Sequence, residues 1–231
     1  MTRASPATPL PIVVAITGAS GAVYAARLLE ALWDAGRSMH LVVSASGRAV
    51  VRQELGVDLR EDAANWLDLV TAARGRLLLP ERALDRPTDS SGGGSIAAHR
   101  EDDYFTPIAS GSYLTAGMVV CPCSGATLSG VARAASNNLI QRAAEVHLKE
   151  RRKLILVPRE TPLSTLQLEN MWRASQAGAV ILPAAPGWYH PVASLVDLVD
   201  FVVGRILDQL GVPQPSAQRW GVEQKDSREC E

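Results

Sequence analysis

Along the chain, apolar residues gather in short runs, and the stretches between them are amphipathic. The runs are Ile12 to Ile16, Met39 to Ser44 (interrupted by His40 and closed by Ser44), Ala116 to Cys121, Leu154 to Val157 and Val180 to Pro183. Each has strand length and no polar face, the pattern of strands covered on both sides in a parallel sheet. The intervening stretches place apolar residues at steps of three and four, which predicts helices over 22–35, 45–55, 128–153, 163–176 and 194–210. A short helix over 58–69 and a short strand over 76–80 complete the pattern. Strands alternating with helices imply an α/β fold, a doubly wound (Rossmann- or flavodoxin-like) parallel sheet in a single domain over 12–212. Residues 1–11 read as a disordered N-terminus and 213–231 as a polar C-terminal tail. The Gly- and Ser-rich stretch 87–95 reads as a surface loop.

In such a sheet ligands bind outside the carboxyl ends of the strands, so the residues just past each run carry the candidate chemistry. After the first run come Thr17, Gly18, Ala19, Ser20 and Gly21. Strand, glycine-serine turn and helix make a phosphate cradle, because backbone N–H groups at a helix N-terminus point at the ligand. The same turn also reads as an ordinary connection with Ser20 as N-cap. A dinucleotide site would need Gly-x-Gly-x-x-Gly here and an acid after the second run. Neither is present, and Ser44, Ala45 and Ser46 stand in the acid's place, so a mononucleotide such as FMN fits better than a nicotinamide. Glu54 reads as a solvated helix residue or as a catalytic one. Ser110, Gly111 and Ser112 form either a plain turn or a loop that lets backbone approach a ligand closely.

The third run gives way at Pro122 to a hydroxyl-rich turn, Ser124, Gly125, Ala126 and Thr127. Asn138, Arg142 and Lys149 follow at steps of four and seven, which stacks them on one face of the helix predicted over 128–153. The next run ends at Pro158 and sets Arg159 and Glu160 at the same edge, while Trp188 and Tyr189 follow the last run. Hydroxyls, an amide, cations and a carboxylate thus meet at one crevice suited to a phosphorylated ligand. Singly, the cations have plainer readings. Lys149 could pair with Glu145 along its helix, Arg205 could complement its helix dipole, and Arg142 could be solvated.

Composition narrows the classes. A formal charge of −1 over 231 residues argues against nonspecific binding to nucleic acid or to an anionic membrane surface. Three cysteines, two of them in Cys121-Pro122-Cys123, make no disulfide framework, and with four scattered histidines they give no metal-ligand spacing. The apolar runs are too short to span a bilayer and no secretory signal is evident, so a cytoplasmic location is expected.

Taken together, the motifs resemble those of the UbiX/Pad1 family of flavin prenyltransferases, within the flavodoxin-like, flavin-dependent cysteine decarboxylase superfamily. The resemblance rests on Thr-Gly-Ala-Ser-Gly at 17–21, Ala-Ser-Gly-Ser at 109–112, Cys-Pro-Cys-Ser-x-x-Thr at 121–127 and Asn-Asn-Leu-Ile-x-Arg at 137–142. It continues in Leu-Lys-Glu-Arg-Arg at 148–152, Val-Pro-Arg-Glu-Thr-Pro at 157–162 and Pro-Ala-Ala-Pro-Gly-Trp-Tyr-His at 183–190. It implies that reduced FMN accepts the dimethylallyl group of dimethylallyl phosphate at N5 and C6, and that the product, prenylated FMN, goes to a UbiD-type decarboxylase. It places FMN on Gly18, Ala19, Ser20, Ser44, Ser124, Gly125, Ala126, Thr127 and Arg159. Ser110, Gly111, Tyr104, Arg142, Lys149, Glu160, Tyr189, Arg205 and Trp220 fall to the prenyl phosphate. Glu160, Lys149, Ser20 and Glu54 form the implied catalytic set, Glu160 as proton shuttle, with no metal.

Two other classes stay open at this level, a flavin-dependent decarboxylase of the same superfamily and a non-catalytic FMN-binding subunit. The convergence of phosphate-binding residues favours the transferase. Trp220 lies in a polar tail with no local core, so it should seek a groove on its own domain or on a neighbour. Family members form symmetric dodecamers, and the resemblance therefore implies a homo-oligomer with sites at subunit junctions.

Overall fold

The structure is a computed structural model and describes residues 9–80, 94–189 and 192–213. Six strands, β1 (Ile12–Ile16), β2 (Met39–Val43), β3 (Ile96–His99), β4 (Gly117–Cys123), β5 (Leu154–Pro158) and β6 (Val180–Ile181), form one sheet. Every pairing is parallel, in the order β3-β2-β1-β4-β5-β6. The chain starts in the middle, winds outward through β2 and β3, then returns to β4 and winds the other way. The order therefore reverses between β1 and β4, and a crevice opens there beyond the strand ends.

Seven helices cover the two faces: α1 (Ala22–Asp34), α2 (Ala45–Leu55), α3 (Trp66–Arg76), α4 (Gly125–Ala132), α5 (Leu139–Lys149), α6 (Thr165–Gln176) and α7 (Leu195–Leu210). Alternate residues of each central strand enter opposite cores. Ile12, Val14 and Ile16 pack with α1, α3 and α7, whereas Val13, Ala15 and Val120 pack with α4, α5 and α6. β1, β2, β4 and β5 are buried along their whole length, which is why their sequences are almost wholly apolar, His40 of β2 being the exception. An ionic cluster ties three helices together on the first face. Glu30, 1% exposed, pairs with Arg27 and Arg74, and Arg27 grips Asp200 of α7 through two hydrogen bonds of 2.7 and 3.0 Å.

Several expected elements differ. The run at 76–80 is not a strand: α3 extends to Arg76, and Leu78 turns back with φ 55° and a side chain 92% exposed. The outer strand is instead β3, which lies wholly on the edge and is only partly covered. The short helix expected over 58–69 lies further on, as α3. The helix expected over 128–153 is two helices, broken where Ala134 adopts φ 52° and Asn138 caps α5 by accepting from the Gln141 N–H at 2.9 Å. β4 also runs through Pro122 to Cys123, across a cis peptide at Cys121-Pro122. Residues 1–8, most of the 87–95 loop, and the tail from 214, including Trp220, lie outside the described residues.

Candidate active site

Thr17 stitches the crevice shut at its base. Its hydroxyl donates to the Pro122 carbonyl at 2.8 Å and accepts the Ser124 N–H at 2.8 Å, so the ends of β1 and β4 are one unit. Ser44 caps α2 by accepting from the Gly47 N–H at 3.0 Å and lies 3.1 Å from the Ser46 hydroxyl. Gly18 brings this second turn against the first: a Cβ there would stand 2.6 Å from both Cβ and Oγ of Ser46. Ser124 caps α4, accepting from Thr127 N–H and donating to its hydroxyl at 3.0 Å. The N–H groups of Gly125 and Ala126 have no acceptor among the described residues and belong to the helix end that opens on the crevice. From β5, Arg159 Nε donates to the Ser20 carbonyl at 3.2 Å, closing the far side. Glu160 beside it is exposed, and accepts from its neighbour's amide, Thr161 N–H, and from Gln167 Nε2, both at 3.3 Å.

The first turn is not the open cradle that its sequence suggests. Gly21, at φ 116°, is the N-cap of α1, not Ser20, and no side chain of the turn caps the helix. Glu54 reaches across from α2 and accepts from Gly21 N–H at 3.1 and 3.0 Å and from Ala22 N–H at 2.8 Å. A carboxylate thus occupies the helix N-terminus where an anionic ligand would otherwise be held. Glu54, half-buried, is committed to the start of α1. Similarly, Glu101 accepts from Ala45 N–H at the start of α2 at 2.6 Å and lies 3.9 Å from Arg48. Neither contact was foreseeable, since the partners lie 32 or 33 and 56 positions apart.

A second group surrounds the 109–113 loop. Arg142 Nε donates to the Ala109 carbonyl at 3.1 Å, and the Ser110 and Ser112 hydroxyls lie 2.9 Å apart. Lys149 pairs with Glu150 at 2.5 Å, not with Glu145, which is taken by Arg142 and Ser136. The Lys149 ammonium, as hydrogen-bond donor and charge, holds the Glu150 carboxyl below its ordinary range. In a third group, Tyr189 lies against Phe201 of α7 with ring centroids 6.4 Å apart, and Arg205 follows Phe201 by one turn on the same helix face. Arg205 bonds to Asp208 at 3.1 Å, in place of acting on the helix end alone. Tyr104 shares a cavity with Glu101, the residue that accepts from Ala45 N–H beside Ser44. This open cavity of about 400 Å³ is also lined by Arg48, Glu61, Arg100, Asn137 and Asn138, on the β3 side of the crevice.

Burial keeps Cys121 and Cys123 out of the chemistry. It pushes the Cys123 thiol up to about 12 and Cys121 higher still, and both are fully enclosed. Such thiols remain protonated and unreactive at neutral pH.

The profile of the Flavoprotein family matches residues 2–207. The flavin prenyltransferase UbiX of Halalkalibacterium halodurans is 45% identical over 91% of this chain and 93% of its own. That of Pseudomonas aeruginosa is 46% identical over 92% of this chain and 95% of its own. The chain belongs to the UbiX flavin prenyltransferase family. Among solved structures, the AnUbiX complex with FMN and dimethylallyl pyrophosphate is 35% identical, with a TM-score of 0.74 over 94% of this chain and all of its own. A dodecameric FMN-dependent UbiX-like decarboxylase from Escherichia coli is 36% identical, with a TM-score of 0.71 over 91% of this chain and 99% of its own.

The residues fit the flavin mononucleotide of this family. The crevice offers hydroxyls from two turns, the open N–H groups of α4 and the guanidinium of Arg159, while Gly18 removes the side chain that would fill the space at Ser46. With Glu54 seated on α1 and Glu101 on α2, open backbone donors for an anion among the described residues belong to the Ser124 turn. No cluster of three or more metal-ligating side chains exists among the described residues.

Proposed function

We propose that this protein transfers the dimethylallyl group of dimethylallyl phosphate to N5 and C6 of reduced FMN, and that the prenylated FMN supplies a UbiD-type decarboxylase. The observation that carries the reading is the adjacency of two kinds of residue at one strand end. Arg159 closes the flavin crevice through Ser20, and the next residue, Glu160, presents a carboxylate at its mouth. Gly18 to Ser20, Ser44, Ser124 to Thr127 and Arg159 hold and orient the flavin. Lys149, Arg142, Tyr189 and Arg205 take the phosphate as the allylic C–O bond breaks, and their charge stabilises the leaving group most in a site shielded from water. The flavin would contribute N5 as the nucleophile for the first carbon, losing the N5 proton, and C6 for ring closure at the tertiary carbon once the adjacent alkene CH has taken up a proton. Glu160, held by Gln167, accepts the proton that C6 releases, with Ser20 at the flavin edge and Glu54 fixing the turn that carries it.

Assembly belongs to the same proposal. Lys149 of the second group and Arg205 of the third both face solvent, and apolar side chains nearby are uncovered: Leu166, Trp172, Trp188 and Leu195 are each more than 60% exposed. A homo-oligomer, a dodecamer by analogy with the Escherichia coli structure, would cover these surfaces and bring the groups around one flavin. We assign the C-terminal tail with Trp220 to that junction, and the enzyme to the cytoplasm. No described helix is long and apolar enough to cross a membrane.

Mass analysis of the flavin after mixing the protein, reduced FMN and dimethylallyl phosphate tests the reaction. A flavin heavier by one C5 unit is expected. Unmodified FMN together with carbon dioxide release from an aromatic acid would make the protein a decarboxylase instead.

A further inference from the structure

The last turn of α5 and the 109–115 loop are bound together at several points. Just past α5 and its C-cap Glu150, Arg151 adopts φ 56°, in the left-handed region where glycine is usual, and the Arg152 N–H returns to the His147 carbonyl at 2.8 Å. This reversal throws the Arg152 guanidinium back over the loop. Nη1 donates to the Tyr113 carbonyl at 2.6 Å and Nη2 to the Gly111 carbonyl at 2.5 Å. One planar fork thus spans two carbonyls two residues apart, a geometry that lysine, with a single point of charge, cannot reproduce.

What the fork holds is the floor beneath Lys149. A Cβ on Gly111 would stand 2.8 Å from Lys149 Nζ and collide with the Glu150 carboxylate, so backbone and ammonium are already in contact across this point. The rest of the loop is fixed independently. Arg142 holds Ala109, the Tyr113 hydroxyl is 2.9 Å from His40 Nε2, and Thr115 donates to His147 Nε2 at 2.8 Å. His147 accepts there because its Nδ1 proton is committed to the Ala143 carbonyl, 2.7 Å away. Gly111 lies at the crest of the loop, and Arg152 is the side chain that fixes it.

We propose that Arg152 is a positioning residue for the prenyl-phosphate site: by clamping the Gly111 and Tyr113 carbonyls it sets the height of the loop under Lys149 and so the place of the phosphate-binding ammonium. This rests on the prenyltransferase reading. Arg152 touches neither flavin nor phosphate, so its loss acts on one substrate. Arg152→Met should raise the KM for dimethylallyl phosphate roughly tenfold to a hundredfold, the scale of a misplacement of about 1 Å. The FMN dissociation constant should stay within about twofold, because the flavin crevice shares no contact with the clamp. Arg152→Lys, keeping one of the two contacts, should fall between the variant and the wild type. Amide exchange should quicken at residues 110–113 in Arg152→Met and stay unchanged at residues 17–21. An unchanged KM in Arg152→Met, or FMN affinity lost in parallel with KM, overturns the proposal. If Arg152→Met does not fold, Arg152→Lys decides alone, and a wild-type KM in it is the overturning result. Should the wild type give no prenylated flavin, the function reading fails first. Exchange at 110–113 and the affinity for dimethylallyl phosphate by calorimetry then judge the clamp, and no change in either overturns it.

Discussion

Replacing Glu54 with alanine isolates the contact that sequence reasoning did not anticipate. The carboxylate accepts from two backbone donors at the start of α1, Gly21 N–H at 3.1 and 3.0 Å and Ala22 N–H at 2.8 Å. A hydrogen bond to a charged group contributes roughly 1.5–3 kcal/mol, and the charge at a helix N-terminus adds about 0.3–1 kcal/mol. Glu54 and Gly21 are both half-buried, so water replaces part of what is lost on truncation. A net cost of about 2 kcal/mol is therefore expected for Glu54→Ala, and about 1 kcal/mol for Glu54→Gln, which keeps one oxygen acceptor but no charge. At roughly 2–4 °C per kcal/mol for a chain of this size, Tm should fall by about 4–8 °C and 2–4 °C. Differential scanning calorimetry reads both. Phosphate adds a sharper test, because the vacated N–H groups become an anion site. At ten times its dissociation constant, bound phosphate would restore about 1.4 kcal/mol to Glu54→Ala and little to the wild type, whose site is filled. A Glu54→Ala protein that melts with the wild type, or that gains no more from phosphate than the wild type does, would refute the reasoning.

Other expectations follow from the same contacts. Glu160→Gln should still bind FMN but lose about 10²–10⁴-fold in turnover if Glu160 moves the proton; near-wild-type turnover in a steady-state assay removes it from that role. Arg159→Ala should weaken FMN by the loss of a charge-assisted contact, about 1.5–3 kcal/mol, whereas Lys149→Ala and Arg205→Ala should mainly weaken the prenyl phosphate. Equal flavin losses by titration in all three would contradict that division. Stability should also fall on acidification through three histidines. Burial lowers His40 to about 4, with repulsion from His99 adding to it, and burial also lowers His99 and His147, against a smaller opposing pull of Asp103 on His99. Their unfolded forms bind protons that the folded forms refuse, so stability is fully present above about pH 6.5 and is lost as pH falls from there toward 4. His40, hydrogen-bonded to His99 at 2.8 Å and to Tyr113, should account for about 1–3 kcal/mol of that loss. Urea unfolding of wild type and His40→Gln at pH 7 and pH 5 checks this, and equal slopes with pH would count against it.

The sequence by itself determined the sheet's centre. β1, β2 and β5 are buried on both faces, so each is an apolar run, broken only by His40 in β2, whose bounds can be read locally. It also showed which turns carry hydroxyls and cations, because strand ends in a parallel sheet all open on one edge. Edges were less legible. β3, half covered and paired on one side, has no such run, while Leu77 to Leu79 form one and yet end a helix. The division of α4 from α5 was written in Asn138, a residue that caps helices, but the apolar period continues across the break and conceals it. Only the tertiary structure decided the partners. Glu54 on the N-terminus of α1, Glu101 on that of α2, Arg159 on Ser20 and Arg152 on the 111–113 carbonyls join residues 32 to 139 positions apart. Periods of 2 and 3.6 describe which way a side chain leaves its own element. Which charge it meets there depends on how the elements pack, and the winding of the sheet brings those distant turns within hydrogen-bonding reach.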